Sequence, residues 1–185
     1  MSTWIWPLPT LLDGRKPVVS QRYRPPENTI HDGVDIVYWR KQGSSEPTTH
    51  PWGEGPFVMF PDVPVYAARE GIVRYAYLHQ NGWRVSIVHP DGYITSYLHL
   101  AAQPLVKAGD RVVQGQQLGC VGDDPSANDI AHLHFILMDP AGNFLDPETI
   151  LEGAPIRARA STGGLVVVLF LAAGIAALVA SGVIS

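Results

Sequence analysis

The chain has 185 residues, a formal net charge of −4 and 16% charged residues. That length supports one folded domain with attachments rather than two full domains, and sparse, slightly acidic charge excludes a broad basic surface for nucleic acid. Cys120 is the single cysteine, so no intrachain disulfide can form, and 18 glycines with 16 prolines suit short strands and turns better than long helices.

The start, MSTWIWPLPTLLDGRK, lacks a basic stretch, an apolar core and a small-residue cleavage site, so no secretory signal is read there. Residues 3–12 are apolar and broken by Pro7 and Pro9, which predicts an extended segment packed on the domain, and Asp13-Gly14 predicts a turn. Val18–Tyr23 reads as a short strand ended by Pro25-Pro26. In Ile30–Val37 (IHDGVDIV), Gly33 and the β-branched neighbours favour a loop entering a strand. His31 and Asp35 then share a face, with glycine leaving space between them. Residues 39–62 show no periodicity and read as a long surface loop, with His50 exposed or walling a substrate site.

Val63–Ala68 and Gly71–Leu78 read as strands, and Trp83–His89 with Tyr93–Leu100 as a hairpin around Pro90-Asp91-Gly92. Strict alternation puts Tyr93, Thr95, Tyr97 and His99 on one face of the second strand. His79 and His89, at turn borders, read as structural or exposed rather than catalytic. Val106–Gly122 spaces glycines around brief apolar pieces, the rhythm of tight turns joining short strands, and Cys120 there reads as a small buried apolar residue. A polar loop, 123–130, leads into AHLHF, where His132 and His134 project from one side of a strand and Leu133 and Phe135 from the other. Asp139–Asn143 predicts a turn and Asp146-Pro147 a last short segment, and no soluble helix exceeds two or three turns.

Residues 153–162 read as a linker. From Ala160 to Ser185 no residue is charged, and Gly163–Ile184 counts 22 residues, about 33 Å of helix at roughly 1.5 Å per residue, enough to span a bilayer core. The expected organisation is an all-β, mostly antiparallel domain at 1–152, a linker, and one transmembrane α-helix at 163–184.

Three of the chemistry-bearing residues form a set. His31, Asp35 and one of His132 and His134 would give zinc N, O and N ligands with a fourth position open to water, the catalytic rather than the structural pattern. His99 and the remaining histidine would serve proton transfer or charge stabilisation beside the metal.

WPLP, HDGVD, VPVYAAREGIV, VHPDGY, YLHL, VKAGDRVVQGQQLGCVG and HLHF follow one another over residues 4–148. In that order they resemble the M23 family of zinc metallopeptidases, the lysostaphin-like or LytM-type endopeptidases. The resemblance implies zinc ligation by His31, Asp35 and His134, and non-ligand active-site roles for His99 and His132. Tyr97 is a candidate additional hydrogen-bond donor or a packing residue. The chain departs from the family in having Phe60-Pro61-Asp62 where a Gly-Thr pair is usual, residues 127–131 where a Ser-Thr-Gly-Pro-like run is usual, and Ile136 where an acidic residue often follows HLHF.

The implied substrate is the peptide cross-link of bacterial peptidoglycan, with no nucleic-acid partner and a lipid membrane engaged through residues 163–184. Arg157 and Arg159 before the span favour a cytoplasmic N-terminal side, whereas peptidoglycan lies across the membrane. That conflict suggests an enzyme held in the internal membrane of a membrane-containing bacteriophage and used in entry or lysis. Two other classes compete. One is a non-catalytic LytM-like module that binds wall or partner proteins. The other is a biotinyl- or lipoyl-type carrier, which VKAGDRVVQGQQLG alone suggests and which lacks the required lysine-bearing hairpin turn.

Overall fold

Short runs of alternating apolar residues separated by turn residues bury one face each, and they do so here by pairing into sheets. A computed structural model describes residues 3–46, 55–60, 62–122 and 131–158. Among these the strands are β1 (Pro17–Gln21), β2 (Val34–Trp39), β3 (Phe57–Val58), β4 (Pro64–Tyr66), β5 (Gly71–His79), β6 (Gly82–Val88), β7 (Ile94–Leu100), β8 (Arg111–Val112), β9 (Gln117–Cys120), β10 (Leu133–Met138) and β11 (Phe144–Leu145), followed by one helical turn, α1 (Glu148–Leu151). The main sheet runs β1-β2-β10-β7-β6-β5-β8, with β3 added to β2 and β11 to β10, and β4 pairs with β9 in a separate ribbon. All the strand pairs are antiparallel. The all-β expectation holds for this domain; the segment read as a membrane helix lies outside the described residues. Among those that are described, no helix is long and apolar enough to cross a membrane.

The core lies between one face of the large sheet and the layer formed by the β4–β9 ribbon and the N-terminal segment. Ile36, Leu133, Phe135, Tyr97, Val85, Ile87 and Val73 meet Leu8, Leu11, Val65 and Leu118 there. Each is shielded from water, and a fully buried side chain of this size contributes roughly 1.5–3 kcal/mol. The N-terminal segment is pinned by Tyr38, whose hydroxyl donates to the Pro9 carbonyl at 2.7 Å, and by Tyr66 N–H donating to Pro7 at 2.8 Å. Part of the stretch read as linker lies beside it: Trp6 N–H donates to Pro155 and Thr10 N–H to Arg157.

Two expectations change, and Tyr97 takes the packing one of its two alternatives. The 39–62 segment ends in structure, because Phe57–Val58 pairs with Tyr38–Trp39 and Val58 is fully buried; His50 lies outside the described residues. Cys120 is half-buried rather than enclosed, at the edge of the β4–β9 ribbon. Tyr97 belongs to the core: it is fully buried, packs on Phe135 at 5.3 Å and accepts from Ala68 N–H at 2.8 Å, so it does not reach the site.

Candidate metal centre and active site

The site sits on the other face of the large sheet, where β2, β10 and β7 lie side by side. Asp35 stands opposite His134, and His134 opposite Leu98, so one transverse row crosses three strands. The loop before β2 folds over this row. Gly33 makes that possible, since a Cβ there would meet the Phe135 carbonyl oxygen at 2.5 Å and His134 Nε2 at 2.9 Å. Ile136 is 1% exposed and packs beneath Gly33.

His31, Asp35 and His134 each present a ligand atom, and these atoms all lie within 4.8 Å of one another. Their hydrogen bonds show what the centre is built to hold. His31 Nδ1 donates to the Arg22 carbonyl at 2.7 Å and its Nε2 lies 3.1 Å from Asp35 Oδ1. His134 Nδ1 lies 2.8 Å from the same oxygen, while its Nε2 lies 3.1 Å from Asp32 Oδ1. Each ring therefore faces an acceptor on both sides and, without a metal, must carry two protons. Two imidazolium rings with centroids 4.8 Å apart repel by about 3–4 kcal/mol at an effective dielectric near 20. One divalent cation among the three ligand atoms supplies the same charge, leaves both rings neutral and keeps every outer hydrogen bond. The donor set fits zinc, with His31 offering Nε2 and His134 offering Nδ1.

The titration directions have the same origin. Burial pulls His134 down, but its bonds to Asp32 and Asp35 outweigh burial and push it up to about 9. His31 is likewise raised, burial being outweighed by Asp35. For Asp35 burial acts upward, yet His134 and His31 hold it well below the usual carboxylate range. Asp32 is lowered chiefly by the His134 hydrogen bond, with Arg84 among the smaller contributions.

His132 and His99 complete the cluster. His132 Nε2 is 3.4 Å from Asp35 Oδ1, and its ring lies 4.7 Å from that of His99, which is itself 6.0 Å from His134. Alternation alone would point His99 into the core with Tyr97. Instead its φ is +64°, a left-handed value that a β-branched or bulky residue seldom adopts. Trp83 pairs with Leu100 and Val85 with Tyr97, so Leu98 and His99 together oppose the single residue Arg84. This is a β-bulge, and bulges commonly re-aim a side chain next to a site. The Asn81-Gly82 turn locks the new direction: Asn81 accepts from His99 Nδ1 at 2.8 Å, and Gly82 admits His99, whose Cα would lie 3.3 Å from an added Cβ.

All five sequence-derived residues thus converge at one place. Sequence reasoning missed Asp32, because alternation in an extended segment puts it opposite His31 and Asp35. A carboxylate directly beside the first histidine was the available signal. His79 is exposed; His89 is buried and structural, bonded to the Glu70 carbonyl and to Thr95.

The antiparallel sheet thus brings a His–Asp–His donor set and two more histidines together on one face, a candidate metal centre. Residues 56–147, just under half of the chain, match the family model described as Peptidase family M23. The matched span includes His99, His132 and His134; His31 and Asp35 precede it. Among curated proteins, the chain is 44% identical over 73 residues to the peptidoglycan DD-endopeptidase ShyC of Vibrio cholerae, covering 39% of this chain and 16% of that protein. The chain thus spans less than two thirds of that relative. Among solved structures it is similar to a putative glycyl-glycine endopeptidase lytM from Ruminococcus gnavus (TM-score 0.60, 23% identity, 86% of this chain and 64% of that one). It is also similar to a chain of the SpoIIIAH and SpoIIQ complex (TM-score 0.59, 21% identity, 80% of this chain and 100% of that one).

Proposed function

We propose that this protein is a zinc-dependent endopeptidase that hydrolyses peptide cross-links of bacterial peptidoglycan. The observation that carries the reading is the convergence of His31, Asp35 and His134 ligand atoms within 4.8 Å, beside the paired rings of His99 and His132. The name of the ShyC relative, a peptidoglycan DD-endopeptidase, supports the substrate class. Zinc held by the three ligands would polarise the scissile carbonyl and acidify water.

The chain's own residues do the rest. His99, with Nδ1 committed to Asn81, has Nε2 as its proton-accepting atom. It takes the proton from the attacking water or returns one to the leaving amine. His132, next to His99 and held near Asp35, stabilises the developing oxyanion by donating a hydrogen bond. Asp32 keeps the proton of His134 on Nε2, and Gly33 lets the loop approach closely enough for that contact.

The test is digestion of defined cross-linked muropeptides by the full chain and by His134→Ala. Loss of bound zinc together with at least about a thousandfold loss of cleavage is expected, since removing a metal or its electrostatic partner costs several kcal/mol of transition-state stabilisation. Undiminished cleavage by the variant refutes the ligand set.

A second reading is a non-catalytic module that binds a wall or partner protein, favoured by the similarity to a chain solved in the SpoIIIAH and SpoIIQ complex. Zinc-loaded protein that leaves every muropeptide intact would establish it. We also propose that residues 163–184 anchor the chain in a membrane, on their uninterrupted apolar character. The wall-cutting chemistry combined with such a span supports a virion-associated enzyme of a membrane-containing phage. Finding the gene in an ordinary bacterial chromosome, with the domain in the periplasm, would remove the phage assignment.

A further inference from the structure

The row of residues that carries the metal ligands does not stop at β7. On β6, Arg84 is the single residue opposite the Leu98–His99 bulge, and it pairs with Tyr77 on β5. The row therefore runs Asp35, His134, Leu98, Arg84, Tyr77 across five strands on the site's open face. Arg84 has Cζ 5.5 Å from the Tyr75 ring centroid and one terminal nitrogen 3.5 Å from Ser96 Oγ, a long contact. Its Nε is buried with no hydrogen-bond partner. Among the described residues no carboxylate forms an ion pair with it, although Arg15 and Arg69 both have one. Arg40 and Arg69 also bury an unmatched Nε; Arg84 differs in standing in the row of site residues with no ion pair among the described residues.

Beyond Arg84 the same face carries a file of rings. Tyr75 and Tyr77 lie 5.3 Å apart, and Tyr77 and His79 6.4 Å apart, at alternate positions of β5. Tyr77 is 40% exposed, so these rings, tilted 59° and 73° to their neighbours, are presented to solvent. The file lies on the side of the candidate metal centre away from the loop that bears His31. An extended peptide passing over the metal centre would meet a cation flanked by aromatic surface on leaving it.

We propose that Arg84, flanked by Tyr75 and Tyr77, is a subsite for a free carboxylate of the peptide substrate. This rests on the endopeptidase reading and adds to it which substrates the site prefers. The planar guanidinium fork matches a carboxylate and binds it more strongly than a neutral amide. The subsite accordingly favours stem peptides with free carboxylates over their amidated counterparts, and it acts on binding rather than on the bond being broken.

The experiment uses the full chain and two synthetic stem peptides identical except for free or amidated carboxylates. Binding is read by calorimetric titration, and cleavage of the corresponding cross-linked dimers separately. Wild type is expected to bind the free acid about tenfold more tightly, the difference between a charge-assisted and a neutral hydrogen bond. R84M should abolish that preference and R84K should keep part of it. The catalytic cost of R84M should fall on KM rather than kcat, with zinc content and melting temperature retained. No preference in wild type overturns the proposal. Equal weakening toward both peptides in R84M overturns it too, and shows instead that Arg84 only braces Tyr75. The wild-type comparison requires no variant to fold. If the peptides bind with the expected preference but neither dimer is cut, the endopeptidase reading fails and the subsite stands.

Discussion

Asp32 is the residue whose role the neighbouring chemistry defines most closely. It is four-tenths exposed by side chain, so it contributes little to the core, yet it accepts from Nε2 of a nine-tenths buried histidine. A carboxylate behind a metal-bound imidazole fixes the tautomer and makes the ring a better donor. Asp32→Asn keeps an oxygen and loses the charge. Its expected effect is a fall in zinc affinity of about tenfold or more, with the melting temperature of the zinc-free chain unchanged. Competition against a chromogenic chelator measures it, and an unaltered zinc affinity would show the contact to be incidental. His99 makes a different point at this scale. Its left-handed backbone stores strain of order 1–3 kcal/mol, which the Asn81 hydrogen bond and the adjoining turn offset.

At the scale of elements, the β6–β7 hairpin places the site and anchors itself through a histidine. His89 sits at the hairpin's turn, with Nδ1 donating to the Glu70 carbonyl at 2.8 Å, Nε2 at 2.9 Å from Thr95 Oγ1, and the Trp4 ring edge-on at 4.8 Å. Burial, the main cause, lowers its pKa. The folded chain therefore keeps His89 neutral where the unfolded chain, near 6.5, takes a proton. A depressed folded pKa means this contribution is complete above the unfolded value and lost as pH falls below it toward the folded one. Wild type should lose up to about 1.4 kcal/mol per pH unit across that interval relative to His89→Asn, read as the difference between their denaturant midpoints at pH 7.5 and pH 5.5. Parallel pH profiles for the two proteins would contradict it.

For the molecule as a whole, the core and the candidate metal centre occupy opposite faces of one sheet. The buried residues that hold the layers together, among them Leu8, Val65, Leu118 and Phe135, are not ligands. Zinc should therefore stabilise by mass action and not create the fold. Chelation is expected to abolish cleavage and lower the melting temperature in a zinc-concentration-dependent way, while circular dichroism still reports a cooperative β-sheet transition. A chelated chain without a cooperative transition would show the two faces to be one folding unit.

Alternation, turn residues and glycine spacing are local, so they placed β5 to β7 and β10 to within a few residues and made the sheet class legible. The donor inventory was equally visible, because His-x3-Asp and His-x-His each put two ligand-type side chains on one face of an extended chain. Where those pairs meet depends on which strands become neighbours. Leu98 beside His134, the bulge that turns His99 away from Tyr97, the carboxylate of Asp32 behind His134 and the guanidinium of Arg84 across from the bulge all follow from interstrand register. Register is set by burial between segments tens of residues apart, an energy that no local pattern contains. The sequence by itself determined which ligand-type side chains this protein carries, and only the tertiary structure decided which way each one faces and which neighbour tunes it.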